Sequence, residues 1–155
     1  MEILRGPAGL TPVREPSVVA IGNFDGVHLG HQALVAKVLG EAARQGGVPT
    51  VLTFEPHPRE WLALRGEAAA PPARLQRLRE KAMVLQQAGI RRLVVARFNE
   101  RLRAQAPREF VDDMLVRRLR ARQVVVGEGF RFGHRGAGTV EFLREAGRSA
   151  GFGVE

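Results

Sequence analysis

The chain of 155 residues has no cysteine and only two lysines, Lys37 and Lys81. Without cysteine there is no disulfide, no thiolate nucleophile and no cysteine-held zinc or iron–sulfur centre. No apolar run approaches the ~18–20 residues that a membrane-spanning helix needs. The first sixteen residues, MEILRGPAGLTPVREP, lack the apolar stretch of a signal peptide. There is no GxxxxGK[ST] segment, so a P-loop is excluded, and no GxGxxG dinucleotide fingerprint in the first glycine turn. The expectation is one domain over residues 1–155, cytoplasmic, with no membrane partner.

What is present is arginine. The net charge is +8, and arginine outnumbers lysine 22 to 2. Residues 1–70 hold 6 basic and 7 acidic side chains, whereas residues 71–155 hold 18 basic and 9 acidic. A basic half invites an anionic ligand, either nucleic acid or a phosphorylated small molecule. A solvated arginine-rich surface explains the same bias. No helix-turn-helix or RNA-recognition signature accompanies it, so no nucleic-acid partner is expected.

Short apolar runs alternate with helical periodicity. Ser17–Gly22, Val48–Phe54, Arg92–Phe98 and Gln123–Gly127 read as buried strands. Leu29–Gln45 reads as a helix stopped by Gly46-Gly47, and Arg74–Gln87 as a second, with Leu75, Leu78, Ala82 and Leu85 on one face. Ala68–Pro72 is a small-residue loop. Pro107 opens a helix that should bury Phe110, Val111, Met114, Leu115 and Leu119. A last helix is expected from Thr139 to Ala146, and Gly151–Glu155 reads as a fifth strand cut short. This alternation predicts an α/β fold, a Rossmann-like doubly wound parallel sheet. Ligands of such sheets sit beyond the carboxyl ends of the strands. That points to residues 22–31, 54–58, 98–99 and 127–136.

The first of these segments is Gly22-Asn23-Phe24-Asp25-Gly26-Val27-His28-Leu29-Gly30-His31. A strand, a glycine turn and a helix N-terminus together make a phosphate site, because free backbone N–H groups and the helix dipole favour an anion. His28 and His31, three apart, share one face of the first helical turn, where both can donate to phosphoryl oxygens. Gly30 leaves bare backbone against which a flat ring can lie. Two exposed or capping histidines are the plain alternative. Zinc is disfavoured by the missing Glu and the i, i+3 spacing. Asp25 suits a helix cap, or else a role in orienting the turn or holding Mg²⁺.

Phe24, Phe54, Phe98, Phe130 and Phe132, five of the eight phenylalanines, fall at or just past strand ends. With Pro56 and Pro58 nearby, they suit a planar heterocycle beside the phosphate site, or ordinary capping of the core. Gly127–Gly136 adds glycines for unusual backbone angles and Arg131 and Arg135 for phosphate, although a surface loop accounts for it nearly as well.

The segments VVAIGNFDGVHLGHQ, TFEPHP, RFNE and VGEGFRFGHRGAG, in this order over about residues 10–150, resemble the adenylyltransferase domain of prokaryotic FAD synthetase. HxGH by itself indicates only the broad nucleotidyltransferase superfamily, whereas its combination with FEPHP is far more specific. The resemblance implies transfer of AMP from ATP to FMN, giving FAD and pyrophosphate, assisted by Mg²⁺. His28 and His31 would be the catalytic pair at the ATP phosphates. Gly22, Asn23, Phe24, Gly26 and Gly30 would complete the ATP site, and Phe54, Pro56, Pro58 and Phe130 the flavin side. No magnesium ligands are assigned.

Three departures from the pattern stand out. Gly129 occupies a position where the family has Asn or Asp. The Ser-Ser-Thr-x-x-Arg segment expected after the last strand is absent, and so is the PTAN signature of the riboflavin kinase domain usually fused to this one. The expectation is a domain cut at its C-terminal end. The competing readings are a nucleotidyltransferase acting on another phosphate acceptor, and a nucleotide- or flavin-binding domain without turnover.

Overall fold

The computed structural model describes residues 1–6, 10–69 and 73–155. Six parallel strands form one sheet: β1 (Glu2–Gly6), β2 (Ser17–Ile21), β3 (Val48–Glu55), β4 (Arg92–Arg97), β5 (Ala121–Val125) and β6 (Gly153–Val154). Their order across the sheet is β1-β4-β3-β2-β5-β6. The expected doubly wound α/β sheet is therefore present, with two edges that the expectation lacked or misnumbered. β1 was not foreseen, and the strand at the C-terminal end is the sixth.

The helices are α1 (Leu29–Gln45), α2 (Pro58–Ala63), α3 (Leu78–Gln87), α4 (Glu100–Ala104), α5 (Pro107–Phe110) and α6 (Val140–Ala150). α5 runs on as a π-helical segment, Val111–Arg118, and a single 3₁₀ turn, His134–Gly136, precedes α6. α1 has the predicted limits, and Gly46 ends it at φ +68, a left-handed angle that favours glycine. α3 starts four residues later than the periodicity suggested, and Leu75 is exposed rather than buried. Met114 is only partly buried in its helix. Of the small-residue loop, positions 70–72 lie outside the described residues.

Side chains on alternate sides of each strand feed two separate cores. Val18, Ala20, Val51, Leu93, Val95 and Val125 pack with Val35 and Val38 of α1 and with Ala82 and Leu85 of α3. Val19, Ile21, Leu52, Val94, Ala96 and Val124 pack on the other side, with Phe110, Val111, Leu115 and Leu143. Full burial of each Val, Leu, Ile or Phe side chain among them contributes roughly 1.5–3 kcal/mol. At the amino ends of the strands the buried Arg92 is held by the Glu2 carboxylate at 2.8 Å and the Ser17 hydroxyl at 2.9 Å.

From β2 the chain winds outward through β3 to β4, then jumps back across the sheet to place β5 on the opposite side of β2. The strand order thus reverses between β2 and β5. A crevice opens at such a reversal, beyond the carboxyl ends of the strands. The turn leaving β2 and the glycine-rich loop leaving β5 flank it.

Candidate active site

The turn after β2 is built around Phe24. This side chain is fully buried and its backbone is left-handed, at φ +49. Its ring supports His31, with 4.8 Å between centroids. A Cβ on Gly22 would sit 3.1 Å from the Phe24 ring, so this glycine makes room for the bend. Gly26, at φ +73, faces Leu75 so closely that a Cβ would lie 2.7 Å from it.

His28 is the N-cap of α1, and its Nδ1 accepts the Gly30 N–H at 3.1 Å. In the neutral ring the proton is then on Nε2, which remains a donor. The flat ring that lies against Gly30 is this imidazole, since a Cβ there would meet it at 3.1 Å. His28 and His31 stack with centroids 3.8 Å apart and planes at 22°. His28 is thus both a capping residue and a free donor. Burial first, then His28 and Lys81, push the His31 imidazole from its ordinary 6.5 down to about 4, against an opposing pull from Asp25.

Asp25 does not cap α1. Its carboxylate accepts the backbone N–H groups of Leu75, at 3.1 Å, and Gln76, at 3.0 Å, so it pins the approach to α3 against the turn. Lys81 reaches back from α3 and donates to the Asn23 carbonyl and to Thr53 Oγ1. Only 6% of Lys81 is exposed, and burial lowers its pKa. Sequence reasoning missed Lys81, because lysine is rarely buried and its position showed only helical spacing. It also passed over His57, whose Nδ1 accepts the Arg59 N–H and caps α2, and whose pKa burial lowers. The Pro at the first helical position in FEPHP was the available signal for that helix.

Three buried side-chain atoms lack a hydrogen-bond partner among the described residues: Asn23 Oδ1, His31 Nδ1 and Gln76 Oε1. All belong to this turn, to the first turn of α1 or to the segment Asp25 holds. Unpaired buried polar atoms are costly, so three of them around one turn call for a partner such as water or a ligand. No group of three or more His, Asp or Glu residues suited to a metal ion occurs among the described residues.

Across the rim of the sheet lies a cavity of about 430 Å³. Phe54, Pro58, Phe98, Phe110, Phe130 and Phe132 form its apolar wall. Phe130 and Phe132 stack at 5.6 Å and 17°. Arg103, Arg131 and Arg135 add positive charge, of which Arg103 is paired with Glu67. Three of the four expected flavin-side residues are thus in one wall. Pro56, which follows a cis peptide bond, lies outside it.

The family model for FAD synthetase matches residues 10–155. The chain belongs to the FAD synthetase family. Among its relatives, a bifunctional riboflavin kinase/FMN adenylyltransferase of Pseudomonas fluorescens is 42% identical across 100% of the chain and 48% of its own length. The proteins of that name from Escherichia coli strain K12 and Haemophilus influenzae are 40% and 36% identical over 99% and 100% of the chain. The chain spans about half the length of the curated relatives it matches. A solved structure described as a macrolide-efflux protein from Streptococcus pneumoniae superposes with a TM-score of 0.77, at 24% identity over 98% of the chain and 50% of its own length. That likeness concerns the fold alone. No helix among the described residues is long and apolar enough to cross a membrane.

Proposed function

We propose that this domain is a cytoplasmic FMN adenylyltransferase, transferring AMP from Mg-ATP to the FMN phosphate. The observation that carries this reading is the stacked His28–His31 pair at the start of α1, across the sheet rim from an aromatic cavity of about 430 Å³. An anion site and a site for a planar ring on one rim suit a nucleotide and a flavin phosphate. The riboflavin kinase named in the relatives is the expected partner activity.

An FMN phosphate oxygen attacks the α-phosphorus of ATP in line, and the bond to pyrophosphate breaks. No enzyme nucleophile is required, so the protein contributes position and charge. His28 Nε2–H and the His31 imidazole donate to the phosphate oxygens, and the α1 N-terminus adds its dipole. Gly22, Asn23, Phe24, Gly26 and Gly30 shape the turn that holds them. Both Asp25 oxygens already accept backbone N–H groups. Mg²⁺ would be held chiefly by the triphosphate and would neutralise its charge, while Asp25 holds the turn through the backbone N–H groups of Leu75 and Gln76. Phe54, Pro58 and Phe130 enclose the flavin ring, with Arg131 and Arg135 at the cavity for the phosphate end.

The test is incubation with Mg-ATP and either FMN or riboflavin, with products separated by chromatography and ligand binding followed in parallel by flavin fluorescence. FAD formed from FMN and not from riboflavin supports the assignment. FMN and ATP binding with no FAD would favour a binding domain, and absence of FMN binding would overturn the flavin reading.

A further inference from the structure

We propose that Lys81 is a positioning residue for nucleotidyl transfer, holding the Asn23 carbonyl and Thr53 hydroxyl so that the β2–α1 turn presents His28 and His31 to the nucleotide phosphates. The inference deepens the adenylyltransferase reading and rests on it.

Lys81 is one of only two lysines, and the other behaves quite differently. Lys37 is half exposed and pairs with Glu155 at 2.8 Å. Lys81 is buried and directs its ammonium toward the underside of the turn. Burying an ammonium is costly, and a surface helix gains nothing by turning one inward unless the contact has a use. Its helix is already anchored by Ala82 and Leu85, both in the core. The Asn23 carbonyl also accepts from the Thr53 hydroxyl at 3.0 Å, so folding of the turn does not rest on Lys81 alone.

The tie is reciprocal. Asp25 extends from the turn to the backbone of Leu75 and Gln76, and Lys81 returns from α3 to Asn23. Between these anchors stands Phe24, at a left-handed backbone angle and directly beneath His31. A shift of Asn23 is thereby passed through Phe24 to the His31 imidazole. Charge gives the second link. The groups acting on His31 are His28 and Lys81, which disfavour its protonation, and Asp25, which favours it. Burial, and to a lesser degree Arg74, disfavour the Lys81 ammonium, whereas the charges of Asp25 and Glu55 favour it. The ammonium thus aligns the turn and helps keep His31 neutral until a phosphate is beside it.

The experiment compares the chain with Lys81→Met, Lys81→Arg and, as a control, Lys37→Met. Steady-state FAD formation is measured against both substrates, and the His31 ring protons are titrated by NMR. Lys81→Met should lower kcat on the order of 10–100-fold with the KM for FMN unchanged, and should move the His31 titration upward. Lys81→Arg, which keeps charge and donors, should restore part of kcat, and Lys37→Met should match the parent chain. Lys81→Met with parental kcat and an unmoved His31 titration would overturn the proposal, as would a change confined to the KM for FMN. If the parent chain forms no FAD, the adenylyltransferase reading fails by itself. The His31 titration then decides the Lys81 link: an upward shift supports it and an unmoved curve overturns it.

Discussion

His28 and His31 face each other at 3.8 Å on one turn of α1, yet they are not equivalent. His28 spends its Nδ1 on the helix end, whereas His31 Nδ1 is buried and unpaired among the described residues. Substitutions at the two positions therefore have different signatures.

His28→Asn keeps an N-cap of good quality and removes the Nε2 donor, whereas His28→Ala removes both. The Asn variant should melt close to the parent chain and lose FAD synthesis. The Ala variant should lose the same activity and about 1 kcal/mol of stability as well. Thermal melts beside the FAD assay separate the two functions of the ring.

His31 makes stability depend on pH in a defined direction. Its imidazole protonates near 6.5 once unfolded, but only near about 4 in the folded chain. The stability associated with the neutral ring is intact above 6.5 and is lost as pH falls through that window toward about 4. Melting temperatures measured from pH 7 to pH 4 should fall less steeply in His31→Asn. His57, lowered in the same direction, remains in both chains and keeps the comparison fair.

On the proposed function, the same ring would link nucleotide binding to protons. A triphosphate placed beside His31 favours its charged form. ATP binding near pH 6 should therefore take up protons, seen as a binding enthalpy that varies with buffer ionisation heat. His31→Asn should remove most of that dependence.

Gly138 pairs with Phe132 through two backbone hydrogen bonds of 2.7 and 3.1 Å, and a Cβ there would sit 2.7 Å from the Phe132 ring. Gly138→Ala should push that ring against Phe130 and Phe110, at a cost of about 1–3 kcal/mol. FMN binding measured by fluorescence should weaken, while ATP affinity stays unchanged.

Gly129 has a left-handed backbone, at φ +72, with open space around it. Asn tolerates that conformation better than other side chains. Gly129→Asn should fold normally and tighten FMN binding by placing an amide beside Phe130. Gly129→Val should destabilise the loop instead. Fluorescence titration and melts together test both outcomes.

Elements with a full amphipathic pattern were legible before the structure. α1 had helical periodicity and a double glycine stop, and β2 an apolar run after Ser17. β1 was hidden because EILRG mixes charge with apolar residues, and an edge strand tolerates that where a central parallel strand does not. α2 was hidden because Pro56 and Pro58 stood out only as neighbours of the aromatic residues, although Pro58 opens a short helix. The histidine pair and the aromatic rim were readable, since strand-end position and spacing define them. The reach of Asp25 to Leu75 and of Lys81 to Asn23 was not, because each joins residues fifty or more positions apart.

The two cores on opposite sides of the sheet separate the halves of this site. The histidine turn stands on the side of α1 and α3, and the aromatic cavity on the side of α5 and α6. On the proposed reading, a substitution packed in one core has no direct contact with the other half, so acceptor preference can change at the cavity while nucleotide binding at the histidine turn is kept.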